Sequence, residues 1–340
     1  MPELRIDPLS GHKTIVAGER SLRPGGAPSC AAPEPIDPEK DPFADGHEDR
    51  TPPELYAVRP NGGAPNSSGW TVRVVPNLYP ALAPAQEHDE HERGQRDRPT
   101  FKSEPRGQPD LFACAPATGA HEVIINGPQS VLSLSELPCE QVCAAVEVWR
   151  ERMRAHADSA YVQLIVNERR EAGASLPHTH AQLYALDFVP AAVARERERA
   201  GAHTTRTMGQ SLLGDLVAEE VRRRERIVAI DDEAVLMAPY ASRLPFQMML
   251  APRTPRARFE DAGPTGAALL HDGLCRLARH LGSSPPLNMW VRTAPRGTED
   301  FCWRIDVMPR LTHLAGLELS TDLNLNIVAP EQAATLLREA

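Results

Sequence analysis

The chain lacks any long apolar run. No segment approaches the roughly 18 consecutive apolar residues of a membrane-spanning helix, so no membrane partner is expected. The segment Met1–Asp7 has no apolar stretch of the kind found in signal peptides, and the cytoplasm is the expected location. A basic excess is missing too. The formal net charge is −9, whereas nucleic-acid-binding proteins usually present a basic surface, so no nucleic acid is expected as a partner.

Paired cysteines are also missing. The chain has six cysteines, and none of them forms a C-x-x-C pair. Cys139 and Cys143 lie four residues apart on one face of a predicted helix, but no second pair stands nearby to complete a metal site. Because free cysteines are commonly buried, we expect buried thiols and no disulfide framework.

The length and composition allow a substantial core. The chain has 340 residues, of which 41% are hydrophobic, and this suits one large domain or two fused half-domains. Residues 25–66 are rich in proline, glycine and acidic residues, and residues 83–110 include a densely charged run. Both segments are predicted to be long loops.

The order of predicted elements repeats along the chain. A strand–helix–strand–strand order occurs twice, once in each half, with a charged helical region at about 191–224 in between. The predicted elements are strands at 70–77 and 121–126, a helix at 138–157 and strands at 161–167 and 177–186, then strands at 234–238 and 246–250, a helix at 265–281 and strands at 287–291 and 301–307. We interpret this order as an internal duplication in an α+β fold, with halves at 1–188 and 189–340.

The segment Ser175–Gln182 carries the chemistry in the first half. On a strand, His178, His180 and Gln182 share one face because alternate side chains point the same way. A short H-x-H pattern is more often a metal site or a half-buried polar face than a catalytic site. Here, however, a row of imidazoles follows the glycine-containing segment Glu171–Ser175, and this combination indicates phosphate chemistry. The matching segment of the second half, Cys302–Asp306, has no histidine, so one half is expected to carry the chemistry.

The longer pattern, from Asn167 to Gln182, resembles the active-site signature of the galactose-1-phosphate uridylyltransferase family, a branch of the histidine-triad superfamily. Further segments resemble family motifs in the same order, namely Asp7–Gly11, Arg20–Pro24, Val74–Leu82, Gly119–Ile125, Ala238–Tyr240, Pro309–Leu311 and Pro330–Glu331. The resemblance implies two fused histidine-triad-like half-domains with antiparallel sheets and packed helices. The first half would carry the nucleophile, and the second would be degenerate.

The resemblance also implies nucleotidyl transfer in two displacements. His180 matches the nucleophile, which attacks the α-phosphorus of UDP-glucose and releases glucose 1-phosphate. A hexose 1-phosphate, such as galactose 1-phosphate, then accepts the nucleotide. Three alternatives stay open: a transferase or phosphorylase that uses another donor such as ADP-glucose, a hydrolase, and a non-catalytic nucleotide-binding protein.

The same resemblance assigns nucleotide or phosphate contacts to further residues. Gln182 would donate an amide hydrogen to a non-bridging oxygen, and His178 would orient the loop. The loop at Gly173 and Ser175 would contact the departing phosphate, because glycine lets the backbone come close to it. The remaining assigned residues are Arg20, Arg23, Asn77 and Asn167.

Several positions depart from the family pattern. Many members bind zinc through a C-P-x-C pair, a later histidine and the first histidine of the signature, whereas Asp41, Ala44 and Gln129 occupy the first three positions here. With His178 alone remaining, we expect no zinc and no other cofactor. A second metal would need histidines at Cys302 and Arg304.

Two other departures concern the signature itself and the sugar. Thr179 replaces the usual middle proline of the signature, and Ser320–Asn326 replaces a G-x-G stretch, which leaves the hexose open. Family members are commonly dimers, so the resemblance makes a homodimer possible.

Overall fold

The computed structural model of the chain describes residues 1–22, 28, 30–84, 102–103, 113–263 and 265–340. Most of its strands belong to one large sheet. The strands are β1 (Glu3–Ile6), β2 (Lys13–Val16), β3 (Tyr56–Val58), β4 (Val72–Pro76), β5 (Lys102–Ser103), β6 (Ala113–Cys114), β7 (Gly119–Ile125), β8 (Tyr161–Glu168), β9 (His180–Leu186), β10 (Ile227–Ile230), β11 (Ala234–Met237), β12 (Met248–Pro252), β13 (Leu287–Arg292), β14 (Arg304–Pro309) and β15 (Leu323–Asn326).

Helices connect and cover the strands. They are α1 (Cys139–Ala155), α2 (Ala191–Thr207), α3 (Leu212–Arg223), α4 (Ala267–Leu281), α5 (Gly316–Thr321) and α6 (Pro330–Glu339). None of the helices in the described residues combines the length and the apolar character that crossing a membrane requires.

The large sheet is built from two matching sets of five strands. Its order is β10-β11-β12-β14-β13-β8-β9-β7-β4-β3, and all neighbours are antiparallel. Helix α1 follows β7 as α4 follows β12, and each helix leads into the next two strands of its set. The predicted α+β fold of two fused half-domains is confirmed. The boundary between 188 and 189 stays a prediction.

One feature of the sheet was not predicted. Strand β8 of the first half pairs with β13 of the second, with Asn288 opposite Asn167, so the two half-sheets form one continuous sheet. The polar face of the first half therefore continues directly into that of the second, and residues of both halves can contribute to one site.

The alternation of side chains decides which face of the sheet is buried. In β9, Ala181, Leu183 and Ala185 are buried in the core against α1, which contributes Val142, Val146, Trp149 and Met153. Buried residues at this spacing form one stripe along a helix. The intervening β9 residues His180 and Gln182 consequently face the other side of the sheet.

That other side is covered differently in the two halves. In the second half, Leu213 and Val217 of α3 pack on Val235 and Met249 of the sheet. In the first half no helix within the described ranges takes this place. The segment around Phe43 packs there against β7 and Trp70. An irregular segment therefore covers the face that carries His180.

Several predicted boundaries differ from the observed ones. The strand predicted at 177–186 begins at His180, because the N–H of Thr179 donates to the Val131 carbonyl instead of to a neighbouring strand. The strand predicted at 301–307 begins at Arg304, because the N–H of Trp303 donates instead to the Arg256 carbonyl.

The predicted long loops have mixed outcomes. The loop at 25–66 contains the short strand β3. Most of the loop at 83–110 lies outside the described residues.

A small three-stranded sheet brings the two ends of the chain together. Strand β1 is antiparallel to β2, and β15 is parallel to β2. The N–H of Ala17, just after β2, donates to the carbonyl of Asn326. The turn that contains Arg20 follows directly, so Arg20 lies beside the C-terminal strand β15.

Candidate active site

The loop between β8 and β9 delivers the chain to His180. Gly173 ends a 3-10 turn with φ +92°, a left-handed backbone that glycine adopts without strain. The N–H of Ala174 donates to the Arg169 carbonyl at 3.1 Å, and the Arg169 guanidinium donates to the Ser284 carbonyl at 3.1 Å. Gly173 and Ser175 are exposed on this anchored loop. Their predicted contact with phosphate stays a prediction.

His180 is held in one tautomer. Its Nδ1 lies 2.7 Å from the carbonyl oxygen of His178. A carbonyl oxygen only accepts, so Nδ1 carries the hydrogen and donates it. Burial lowers the pKa of His180, which keeps the ring neutral near pH 7 and leaves the lone pair on Nε2. The side chain is 4% exposed, and Phe43 packs edge-on at 5.3 Å between ring centroids.

Gln182 is oriented through its oxygen. Its Oε1 accepts from the Tyr184 hydroxyl at 2.9 Å and from His121 Nε2 at 3.0 Å. His121 donates through Nε2 because its Nδ1 accepts the N–H of Ala81 at 3.2 Å, and burial lowers its pKa so that the ring stays neutral. With Oε1 occupied, the amide nitrogen of Gln182 makes no hydrogen bond within the described part of the chain and is free to donate.

Asn167 is oriented in the same way from the second half. Val166 pairs with Ala181, so the next residue of β8, Asn167, lies beside His180. Asn288 of β13 donates its Nδ2 to Asn167 Oδ1 at 2.8 Å and to the Ala172 carbonyl at 2.7 Å. Because its oxygen is used, Asn167 presents its NH2 group as a donor.

His178 lies just before β9 and is fully buried. Its Nδ1 is 2.6 Å from Asp41 Oδ2, and its Nε2 is 2.8 Å from the Gly127 carbonyl oxygen. The prediction that His178 shares a strand face with His180 needs this correction: His178 precedes the strand, and its ring is engaged on both sides.

The arrangement of His180, Gln182 and Asn167 suits nucleophilic attack on a phosphate. A neutral imidazole with a free Nε2 lone pair stands between two amide donors, those of Gln182 and Asn167. Attack on phosphorus needs such a nucleophile, and donors aimed at the non-bridging oxygens stabilise the developing charge.

Comparison with known proteins decides the family. Residues 1–190 match the model for galactose-1-phosphate uridyl transferase, N-terminal domain. The chain belongs to the galactose-1-phosphate uridyl transferase family. Residues 137–339 also match the model of a domain of unknown function, DUF4921.

Relatives of this family match along nearly the whole chain. ADP-glucose phosphorylase of Arabidopsis thaliana is 27% identical over 351 residues, which cover 99% of this chain and 93% of the relative. Galactose-1-phosphate uridylyltransferase of Rattus norvegicus is 26% identical over 353 residues, covering 98% and 86%. The family thus comprises nucleotidyltransferase and phosphorylase enzymes, and this chain is one of its members.

Solved structures share the architecture. The Arabidopsis thaliana ADP-glucose phosphorylase with bound ADP-glucose superposes with a TM-score of 0.77, at 25% identity and with coverage of 100% of this chain and 99% of the other. A uridylyltransferase structure has a TM-score of 0.71 at 23% identity, with coverage of 100% and 98%, and shows the shared fold.

Other residues assigned from the family signature lie in three different situations. Asn77 adjoins the Gln182 cluster, because its main-chain N–H donates to the His121 carbonyl at 2.9 Å, and its Oδ1 accepts the N–H of Tyr79 at 2.8 Å. Arg20 is half-buried in the turn that follows β2 of the small sheet. Arg23 lies outside the described residues.

Three residues that hold the site were not predicted as site residues: His121, Tyr184 and Asn288. His121 stood in a recognised family motif, and Tyr184 continues the alternation of β9. Only the register, which places His121 opposite Tyr184 and Asn288 opposite Asn167, shows that they act together.

The metal positions of the family do not fit a metal here. Within the described ranges, no group of three or more His, Cys, Asp or Glu side chains is arranged to hold an ion. At the place of the family's zinc site, Ala44 offers no ligand atom, Gln129 is exposed, and both nitrogens of His178 are hydrogen-bonded.

At the place of the family's second metal site, the guanidinium of Arg304 occupies the space that an ion would take. It lies 2.9 Å from Asp306 and 3.0 Å from Glu196. A cation held between these two carboxylates repels a metal ion from the same place.

Proposed function

We propose that this chain transfers the nucleotidyl group of a nucleoside-diphosphate glucose through His180. The observation that carries the proposal is the hydrogen bond from Nδ1 to the His178 carbonyl, which leaves the lone pair on Nε2. In the first step Nε2 bonds to the α-phosphorus, and the bond to the bridging oxygen breaks, releasing glucose 1-phosphate. In the second step an acceptor oxygen attacks the same phosphorus and restores the free imidazole.

Neutral hydrogen-bond donors stabilise the negative charge on the phosphate. Gln182 Nε2 and Asn167 Nδ2 donate to the non-bridging oxygens, and Ser175 with the backbone at Gly173 donates to the departing phosphate. Asn77 contributes by holding the main chain of His121, which orients Gln182, because its N–H donates to the His121 carbonyl at 2.9 Å. The leaving group is a phosphate monoester, a stabilised anion, so positioning and charge stabilisation supply most of the rate.

ADP-glucose with inorganic phosphate as acceptor is our first candidate for the substrate pair. The support is that an ADP-glucose phosphorylase matches in sequence over 99% of the chain and in structure with a TM-score of 0.77. With these substrates the two steps convert ADP-glucose and phosphate into glucose 1-phosphate and ADP.

UDP-glucose with a hexose 1-phosphate, such as galactose 1-phosphate, is the second candidate. The match of residues 1–190 to the uridyl transferase model and the full-length similarity to galactose-1-phosphate uridylyltransferases favour it. A purely nucleotide-binding role fits less well, because binding alone does not require a nucleophile held in one tautomer.

We also propose that the active enzyme is a homodimer, as the family resemblance implies. Leu78 and Tyr79, which follow Asn77, are 63% and 86% exposed, and a partner subunit would cover them. Arg20 and Arg23 would then act on the nucleotide of the partner's site. Light scattering at micromolar protein concentration should give twice the mass of the chain, and a monomer under turnover conditions would exclude this arrangement.

Covalent labelling tests the proposed function. The protein is incubated with ADP-glucose or UDP-glucose labelled in the α-phosphate, freed of nucleotide and assayed for acid-labile label. We expect label from one donor in wild type and at least a thousandfold less in His180→Asn, because the nucleophile is gone. His313→Asn, an exposed loop histidine, serves as the matched control and should label normally.

The acceptors then separate the two candidates. Phosphate should discharge the label as ADP in the first case, and galactose 1-phosphate should discharge it as a UDP-sugar in the second. Absence of label from both donors would exclude the transferase function, and label that persists in His180→Asn would exclude the nucleophile.

A further inference from the structure

Both ring nitrogens of His178 lie within hydrogen-bond distance of an oxygen atom. Its Nε2 lies 2.8 Å from the Gly127 carbonyl oxygen, which can only accept, so Nε2 carries a hydrogen. Its Nδ1 lies 2.6 Å from Asp41 Oδ2. Burial acts to raise the pKa of Asp41, but hydrogen bonds from His178 and Ser130 outweigh it and keep that pKa below its usual value. The carboxyl is therefore ionised, and the imidazole of His178 is held between it and the Gly127 carbonyl in a buried hydrogen-bonded pair.

The carboxylate of this pair is satisfied on every side. Oδ2 also accepts from the Ser130 hydroxyl at 2.6 Å, and Oδ1 accepts the N–H of Phe43 at 3.0 Å. A buried ion pair is stable only where further hydrogen bonds compensate for lost hydration. Here the side chains of Asp41 and His178 are both 0% exposed, and all the donors and acceptors of the pair have partners.

The two hydrogen bonds of the His178 ring leave it no free lone pair for a metal. Zinc binds neutral imidazole through an unprotonated nitrogen, whereas neither nitrogen of His178 is free. The contact itself joins the segment around Asp41 to the residue two positions before β9, across 137 positions of the chain.

The pair acts on His180 along two short routes. The main-chain carbonyl of His178 accepts the Nδ1 hydrogen of His180 at 2.7 Å. Phe43, two residues after Asp41, packs edge-on against both rings, with centroid distances of 6.1 Å to His178 and 5.3 Å to His180. A displacement of His178 would thus move both the acceptor that selects the tautomer and the ring that covers the nucleophile.

We propose that Asp41 and His178, with a hydrogen on each ring nitrogen, form an ion pair that positions His180 in this chain with no metal at that place, and that Asp41 is a positioning residue. The positioning claim rests on the proposed function of His180, whereas the protonation of His178 and the tautomer of His180 do not. Asp41→Asn keeps the shape of the side chain but removes the charge that holds an imidazolium.

Nitrogen-15 spectra of the histidine rings at pH 7 test the pair without any assay of activity. We expect two protonated nitrogens on His178 and a single Nδ1–H tautomer on His180 in wild type. Asp41→Asn should leave His178 singly protonated and His180 as a mixture of tautomers. A neutral His178 in wild type, or an unchanged His180 in Asp41→Asn, would overturn the proposal.

Metal analysis and kinetics complete the test. Purified wild type should hold less than about a tenth of a zinc per chain, and a chelator should not change its rate; about one zinc per chain would contradict the proposal. Asp41→Asn should lower kcat by about tenfold to a hundredfold with little change in KM, as a small misplacement of the nucleophile does. An unchanged kcat would contradict the positioning role.

Two matched variants guard against a general folding defect. Ser130→Ala removes a neutral donor and keeps both ring hydrogens, so it should preserve the nitrogen spectrum and lower kcat only a few-fold. Asp37→Asn alters an exposed carboxylate in the same segment and should change nothing. If no donor labels the protein, the proposed function fails, while the spectra still decide whether the pair holds His180 in its tautomer.

Discussion

Two carboxamides, those of Gln182 and Asn167, flank His180, and each is oriented through its oxygen. Gln182 receives two hydrogen bonds at Oε1, and Asn167 receives one from Asn288. An amide whose oxygen is occupied can offer only its NH2 group to a further partner. The residues that donate to the two amide oxygens, His121, Tyr184 and Asn288, therefore determine that the site presents N–H donors to a phosphate.

Gln182→Met should lower kcat by about a hundredfold, the usual cost of removing one donor that stabilises transition-state charge. The melting temperature should stay close to that of wild type, because Gln182 is only partly buried. Gln210→Met, at an exposed position after α2, is the matched control for kinetic and thermal measurements. A Gln182→Met enzyme with normal kcat would show that the amide does not touch the reacting phosphate.

Glu168 has a buried carboxyl that contacts Thr179 of the signature segment. Burial raises its pKa to about 7, and its Oε1 accepts from the Leu134 N–H at 2.7 Å and the Thr179 hydroxyl at 3.3 Å. Thr179, which stands where the family has proline, is thus tied by its side chain to β8. Asn126 Nδ2 donates to the same hydroxyl at 3.3 Å.

This carboxyl should make stability depend on pH. Between pH 4.5 and about 7 the folded chain keeps a proton on Glu168 that the unfolded chain has released, so the free energy of unfolding falls as the pH rises through this window. The loss is on the order of 3 kcal/mol. Urea titrations at pH 5 and pH 8 measure it, and Glu168→Gln should flatten the difference. An equal slope in both proteins would show that Glu168 does not titrate there.

The ladder between β7 and β9 depends on close backbone contact at its start. Gly119 has φ +144°, and a Cβ there would lie 2.0 Å from the carbonyl oxygen of Ala185. A side chain at this place must push the two strands apart. Because β9 carries His180 and Gln182, such a displacement would reach the site.

Gly119→Ala should therefore lower the free energy of unfolding by at least about 2 kcal/mol and reduce kcat as well. Gly201→Ala, within α2, meets nothing within 4 Å and should be neutral or stabilising by up to about 1 kcal/mol. Chemical denaturation of both variants gives the comparison. Equal stability of the two would mean that the ladder can absorb the extra atom.

The two halves complete each other through the β8–β13 pair. Separation would expose β8 as a sheet edge and remove Asn288 from Asn167. Exposed edges favour aggregation. We expect residues 1–188 alone to aggregate or to unfold without cooperativity, as measured by gel filtration and circular dichroism. Coexpression with residues 189–340 should restore a soluble complex, whereas a stable, cooperative 1–188 monomer would show independent domains.

Predictions from local spacing agree with much of the fold. The period of two in Ser175–Leu186 and the apolar spacing in 265–281 predict β9 and α4, because these patterns depend on neighbours a few residues apart. The repeated element order predicts the duplication for the same reason. The ends of strands were less accurate, since the bonds from Thr179 to Val131 and from Trp303 to Arg256 leave the ladders.

The amino-acid sequence was sufficient to indicate the family, the candidate nucleophile His180 and the departures at Asp41, Ala44 and Gln129, because each of these depends on residue identity at one position or at short spacing. The fold alone showed what those departures become: Asp41 meets His178, His121 meets Gln182 and Asn288 meets Asn167. These partners are 137, 61 and 121 positions apart. Their meeting depends on strand register and on how the core packs, and neither leaves a local pattern in the chain.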